Sequence, residues 1–185
     1  MAEQETNPVI NGSGNDGAAI DNGDPQVSVL AQYVKDLSVE NPSAPSVFQW
    51  EEQAALDVQF NIQVENFAEG VHEVVLKIDV SARSSQGVHF VVDLSYGGLF
   101  GLRNVPDEAL GPFMLIEAPR LLFPFARQVV ADAVSSAGFP PLLLDPIDFG
   151  AAYMAQLQAA QEATGEAGGE AAADQPPQAD EPTDA

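Results

Sequence analysis

The stretch Leu56-Asp57-Val58-Gln59-Phe60-Asn61-Ile62-Gln63-Val64-Glu65 sets apolar against polar side chains in strict alternation. Successive side chains of a strand point to opposite faces, so this period of two gathers Leu56, Val58, Phe60, Ile62 and Val64 on one face. The reading is a half-buried β-strand, and its neighbours repeat it. Downstream, Glu69-Gly70 marks a turn, and a third strand from Val71 to Arg83 turns Val74, Leu76, Ile78, Val80 and Ala82 inward. After the turn Ser84-Ser85-Gln86-Gly87, a fourth strand runs from His89 to Tyr96. It carries Phe90, Val92, Leu94 and Tyr96 on one face and His89, Val91, Asp93 and Ser95 on the other. Upstream, Val29, Ala31, Tyr33, Leu37 and Val39 alternate with Gln32, Asp36, Ser38 and Glu40 as a first strand, with Leu30 and Val34 out of pattern. A loop, Asn41-Pro42-Ser43-Ala44-Pro45-Ser46, separates it from the second, because its prolines do not suit a strand or helix interior. Short connections between successive strands predict an antiparallel meander.

Beyond the fourth strand the period changes. Gly97-Gly98-Leu99-Phe100-Gly101 reads as a tight strand exit, since no phosphate-binding or dinucleotide fingerprint fits it. Pro106 to Ile116 predicts a short helix and Pro119 to Ala137 a longer one. In the longer helix Leu121, Leu122, Phe125, Val129 and Ala133 recur at helical spacing, and Gly138 stands at the C-cap. Pro124 either bends that helix or delays its start. Phe139 to Pro146 reads as an extended apolar loop, and Asp148 as the cap of a last helix. Strands followed by helices make an α+β class. A four-stranded sheet with so few helices leaves an apolar side wanting a partner, which points to oligomerisation or ligand binding.

With 185 residues the chain suits one domain. Its 28 Asp and Glu face 6 Lys and Arg, a formal charge of −22. So acidic a surface repels nucleic acid and anionic membranes and attracts basic partners. Zero cysteines exclude a disulfide framework or a thiolate metal site. The start MAEQETNPVI lacks a secretory signal, and no apolar run approaches the roughly 20 residues that span a bilayer. A soluble cytoplasmic protein is the expectation. Residues 1–26 and 161–185 are acidic and poor in apolar side chains, so both read as disordered tails around a domain of residues 27–160.

A search for chemistry returns little. His72 and His89 are the two histidines. His89 and Asp93 share a strand face but stand about 13 Å apart along it. No metal-ligand spacing is present in the sequence, so no catalytic residue, metal or cofactor is expected. Binding features are better supported. Phe48 and Trp50, beside the proline loop, either line an apolar groove or close the core. Asp36 and Glu40 on the first strand, with Val91 and Asp93 on the fourth, either dock a basic segment or form an ordinary wet sheet face.

Five blocks together resemble the SecB export-chaperone family: Tyr33-Val34-Lys35-Asp36-Leu37-Ser38-Val39-Glu40-Asn41-Pro42-Ser43-Ala44-Pro45; His72-Glu73-Val74-Val75-Leu76; Gly97-Gly98-Leu99-Phe100; Leu122-Phe123-Pro124-Phe125-Ala126-Arg127; and Gly138-Phe139-Pro140-Pro141-Leu142. The resemblance spans about Val27 to Gln158. It implies a four-stranded antiparallel sheet packed with helices, assembled as a homotetramer, a dimer of dimers with helices between the sheets. It also implies a chaperone that binds unfolded preproteins without ATP and passes them to the SecA motor. Carried over by position, Asp36, Glu40, Val91 and Asp93 are similar to the residues that dock the motor's basic, zinc-bearing tail. Phe48, Trp50, Leu56, Val58, Phe60 and Phe100 fall where the family has its client groove. Phe90, Val92, Leu94 and Tyr96 match strand positions whose packing governs tetramer assembly. The family's tryptophan stands earlier here, at Trp50. A SecB-like chaperone with a dedicated client, such as a toxin–antitoxin partner, and a small-ligand-binding α+β protein remain the alternatives.

Overall fold

The computed structural model describes residues 23–169. Strands β1 (Gln26–Glu40), β2 (Ala55–Ala68), β3 (Val71–Ser84) and β4 (Gly87–Arg103) form one antiparallel sheet in the order β1-β4-β3-β2. The expected four-strand meander is therefore corrected: β2, β3 and β4 form one, but β1 joins the far side, against β4. The connection over residues 41–54 allows this. It is long and irregular, with a short 3₁₀ turn at Ser46–Gln49, so β1 is not held beside β2 as a tight turn would hold it. The two hairpins do have tight turns, with Gly70 at φ 67° and Gly87 at φ 145°, where a side chain would be strained. Both β1 and β2 end up as sheet edges.

β4 does not exit at Tyr96, and its glycines are not a strand exit. The strand continues through them to Arg103 because other side chains need the space. A Cβ on Gly97 would lie 2.8 Å from the Tyr33 ring, and one on Gly98 would lie 2.6 Å from a Leu122 methyl. The glycines let one ring cross one face of the sheet and a helix approach the other.

That helix-covered face holds the core. Val74, Leu76, Ile78, Val80 and Ala82 of β3 and Phe90, Val92, Leu94, Tyr96 and Phe100 of β4 are buried there, under Leu122, Ala126, Val130 and Val134 of helix α2 (Ala118–Ser136). Each fully buried branched or aromatic side chain contributes about 1.5–3 kcal/mol.

β1 departs from simple alternation. Its register against β4 slips once between Val29 and Ala31 and again between Val34 and Asp36, so Leu30 and Lys35 are bulged residues. Each bulge reverses the strand's phase. Val29, Val34, Leu37 and Val39 lie on the helix-covered side, opposite Phe100, Tyr96, Leu94 and Val92. Ala31, Tyr33, Asp36, Ser38 and Glu40 lie on the other. The single apolar face expected from Val29 to Val39 is thus split, and Ala31 and Tyr33 belong with the acids.

The two expected helices are one helical run. α1 (Asp107–Pro112) passes through a π-helical turn (Phe113–Glu117) into α2, with Pro124 carried inside it. The join follows Pro112, which has no N–H to give the preceding turn, and a wider winding takes over. By length and composition Asp107–Ser136 could cross a membrane, contrary to expectation. Its apolar stripe is instead packed on the sheet. Gly138, at φ 92°, ends α2 as read from the sequence, with the Phe139 N–H donating to the Val134 carbonyl. Asp148 caps α3 (Phe149–Gly169) through its Oδ1, which accepts from the Ala151 N–H at 2.9 Å. The domain boundary expected at residue 160 falls inside α3, so residues 161–169 are helical rather than part of a structureless tail. Residues 1–22 and 170–185, which hold most of both expected tails, lie outside the described residues.

Candidate functional site

Edge strand β2 borders three open clefts on the helix-covered side. The first, about 440 Å³, takes in Leu56 together with Val47, Phe48, Trp50, His89, Phe139 and Leu142. The second, about 400 Å³, lies between Phe60 and Ile62 of β2 and Leu115, Phe149 and Tyr153 of the helices. The third, about 420 Å³, joins Ile62 and Val64 to Leu110 and Met114. Because β2 alternates, Leu56, Phe60, Ile62 and Val64 all face this side, and the clefts follow one another along its edge. The alternation that makes the sheet also builds an apolar channel beside it.

The expected groove residues divide. Phe48, Leu56 and Phe60 are exposed, and Trp50 is half-buried. Phe48 leans on Phe139 with centroids 5.6 Å apart, and Trp50 meets the His89 ring edge-on at 4.9 Å. Phe60 stands 6.2 Å from Phe123. Val58 is half-buried against the core, and Phe100 is wholly enclosed, edge-on to Phe113. Phe100 therefore presents no surface to a ligand. Its enclosure follows from the continuation of β4, which carries it under α1 and the π turn. The sequence reading missed Phe139 as a cleft wall and Leu115 and Tyr153 as linings. For Phe139 a signal existed: the run Phe139–Leu144 is apolar, without period, and interrupted by two prolines, so it cannot bury itself as a helix. His89 is buried in the wall of the first cleft, with Nε2 3.0 Å from Ser84 Oγ.

The opposite sheet face gathers the acidic residues. Asp36 pairs with Ser95, Ser38 with Asp93 and Glu40 with Val91, so Asp36, Glu40, Val91 and Asp93 share one surface. On the far side Asp93 is paired with Asp79 of β3, a residue the sequence reading passed over, and both are exposed. Like charges directly opposite destabilise a sheet by a few tenths to about 1 kcal/mol. The signal for Asp79 was its place among the outward residues Lys77, Asp79 and Ser81 of the third strand.

A third group lies on this same face. Glu73 of β3 is 7% exposed. Its Oε1 accepts from the Tyr33 hydroxyl at 2.5 Å and its Oε2 from Lys35 Nζ at 2.7 Å. Tyr33 reaches it by lying across Gly97 of the intervening strand. The bonds from Lys35 and then Tyr33 hold the Glu73 carboxyl below the usual carboxylate range. Burial, reinforced by the bond to Glu73, pushes the Tyr33 phenol up to about 12, and the same bond raises Lys35.

Phe90, Val92, Leu94 and Tyr96 lie on the helix-covered face and are buried within one chain. Among the described residues no group of three or more His, Cys, Asp or Glu side chains is placed to hold a metal ion.

A family model described as preprotein translocase subunit SecB matches residues 21–160. A protein of Sphingopyxis alaskensis described as protein-export protein SecB is 54% identical over 155 residues, 84% of this chain and 87% of that protein. One of the same description from Zymomonas mobilis is 57% identical over 134 residues, 72% of this chain and 82% of its own length. Among solved structures, a SecB-like chaperone of Mycobacterium tuberculosis, in complex with a peptide from an antitoxin, matches with a TM-score of 0.55. That likeness, at 16% identity over 65% of this chain and 90% of the other, speaks for the fold.

Proposed function

The chain belongs to the SecB family of preprotein translocase subunits, and from that membership we propose that it holds unfolded secretory precursors in the cytoplasm and hands them to the SecA export motor. The observation that carries this reading is the run of apolar clefts along the open edge of β2. An unfolded chain exposes both apolar side chains and unpaired backbone groups. An edge strand offers N–H and C=O partners, and the clefts beside it take alternate side chains. Removing apolar surface from water contributes roughly 25 cal/mol per Å², without regard to direction, so selectivity is loose. A folded protein offers neither group, and binding only the unfolded form delays folding and aggregation by mass action.

The acidic face carries the second half of the cycle. Asp36, Glu40 and Asp93, with Val91 as an apolar contact, dock the motor's basic zinc-bearing tail, and the motor's own ATPase then withdraws the client. Four chains assemble as a dimer of dimers. Apolar side chains exposed on β1, among them Val29, Val34 and Leu37, support this, because they lie on the core side of an edge strand and α2 leaves them uncovered. Several channels on one particle would raise avidity for a long client through effective concentration.

The test is the native mass of the assembly by light scattering, with and without a reduced, unfolded precursor at low salt. A stable complex with the unfolded precursor, and none with its folded form, is expected. Equal indifference to both overturns the reading. Binding of a single cognate protein but not of generic precursors or the tail would move it to a dedicated-client chaperone.

A further inference from the structure

The second and third clefts share two walls. Ile62 of β2 and Leu115 of the π turn line both, while Phe149 and Tyr153 belong to the second alone and Val64 and Met114 to the third. Ile62 and Leu115 are each half-buried, and between them they divide one trough into two pockets. Proline chemistry puts Leu115 there. Pro119, wholly enclosed at the start of α2, has no N–H for the Leu115 carbonyl, and its ring would strike that carbonyl in a regular α-helix. The Ala118 N–H donates instead to the carbonyl of Phe113. Such a turn holds one residue more than an α turn, so the helix before it is rotated by about 100° against α2. With that rotation Leu110 and Leu115 line the clefts along β2 while Leu122, Ala126 and Val130 keep to the core.

We infer that Leu115 is a specificity-determining residue for clients: with Ile62 it forms a ridge that selects extended segments carrying apolar side chains at alternate positions. The spacing carries the inference. The second cleft takes in Phe60 and Ile62, and the third Ile62 and Val64. The two are thus offset by two strand residues, about 7 Å. An extended client laid along the open edge of β2 repeats its same-face side chains at that interval, so residues i and i+2 fall one on each side of the ridge. A pair at i and i+3 points to opposite faces, and one member stays in water. Each seated side chain packs against Leu115, so loss of that wall is felt twice by a client filling both pockets and once by a client filling one. This inference deepens the client-binding reading above and rests on it.

Two synthetic peptides of one composition, serine and glutamine with two leucines, separate the spacings: leucines at i and i+2 in one, at i and i+3 in the other. Competition against a fluorescent unfolded precursor gives their affinities. For the parent chain the i, i+2 peptide should bind at least about tenfold more tightly, since it alone buries a second leucine. Leu115→Ala should weaken that peptide more than the other and narrow the ratio to about threefold or less, with the circular dichroism of the folded chain preserved. Leu115→Met, which keeps an apolar wall of similar size, should retain the parent's ratio. If Leu115→Ala fails to fold, Leu115→Gln is carried through the same assay. Equal affinity of the two peptides for the parent overturns the inference, and so does an unchanged ratio in the folded Leu115→Ala or Leu115→Gln variant. A parent that does not bind the unfolded precursor at all overturns the client-binding reading itself.

Discussion

Glu73 of β3 gathers two side chains of β1 across the strand between them, and its chemistry fixes the pH range in which those bonds stabilise the fold. Lys35 and Tyr33 both bond to its ionised form, and Glu65 of β2 adds a further negative charge near Lys35. A carboxyl with a lowered folded pKa contributes stability above the ordinary Glu value of about 4.3 and loses it as pH falls through the folded value. Raised Lys35 and Tyr33 contribute below their ordinary values, about 10, and lose that contribution as pH rises past them. The stability difference between the parent and Glu73→Gln, measured by urea unfolding, should therefore be flat from about pH 5 to pH 9 and shrink below about pH 4. A difference that grew on acidification would contradict the assignment. Gly97 gives the companion test. Gly97→Ala places a methyl 2.8 Å from the Tyr33 ring. It should cost about 1–3 kcal/mol as a lowered urea midpoint, because the ring must leave Glu73 or the strands must part.

At the scale of strands and helices, the two proposed surfaces can be separated by mutation because they lie on opposite faces of one sheet. Asp36→Lys, Glu40→Lys and Asp93→Lys together should abolish tail binding most completely at low salt and leave precursor binding intact, as read by titration calorimetry. Undiminished tail affinity would refute their role. On the other face, Leu56→Ser removes an apolar group that is 51% exposed. It should weaken precursor binding several-fold, about 1 kcal/mol, while thermal stability moves little. The sequence disclosed these elements unevenly, for physical reasons. β2, β3 and the buried face of β4 were legible because strict alternation has one meaning. β1 was misread because bulges at Leu30 and Lys35 change its phase, and alternation alone does not show where a bulge falls. The glycines of β4 read as a break because what they make room for, Tyr33 and Leu122, is distant in sequence. The acidic residues were found individually. Their neighbour Asp79 was not, since its partnership with Asp93 exists only once β3 and β4 are in register.

For the whole molecule, the proposed assembly directs attention to the apolar surface that one chain leaves uncovered. Phe90, Val92, Leu94 and Tyr96, expected from the family resemblance to govern assembly, are buried beneath α2. Any influence they have on assembly must pass through the way α2 sits on the sheet. An Asp at Val92 would place a charge in the core, unfold the domain and report nothing about an interface. The outer side of α2 is a better probe: Leu121 and Phe125 are 44% and 53% exposed, on the opposite side of the helix from the buried stripe of Leu122, Ala126 and Val130. If helices lie between the sheets of two dimers, that outer side is where they meet. Phe125→Asp should then shift the native mass from four chains to two by light scattering, with the circular dichroism of the folded chain preserved. Precursor affinity should fall more for long clients than for short peptides, because halving the number of linked channels removes avidity but no contact within any one channel. A variant that keeps the four-chain mass would place the dimer–dimer contact elsewhere, with the exposed valines of β1 the next surface to probe.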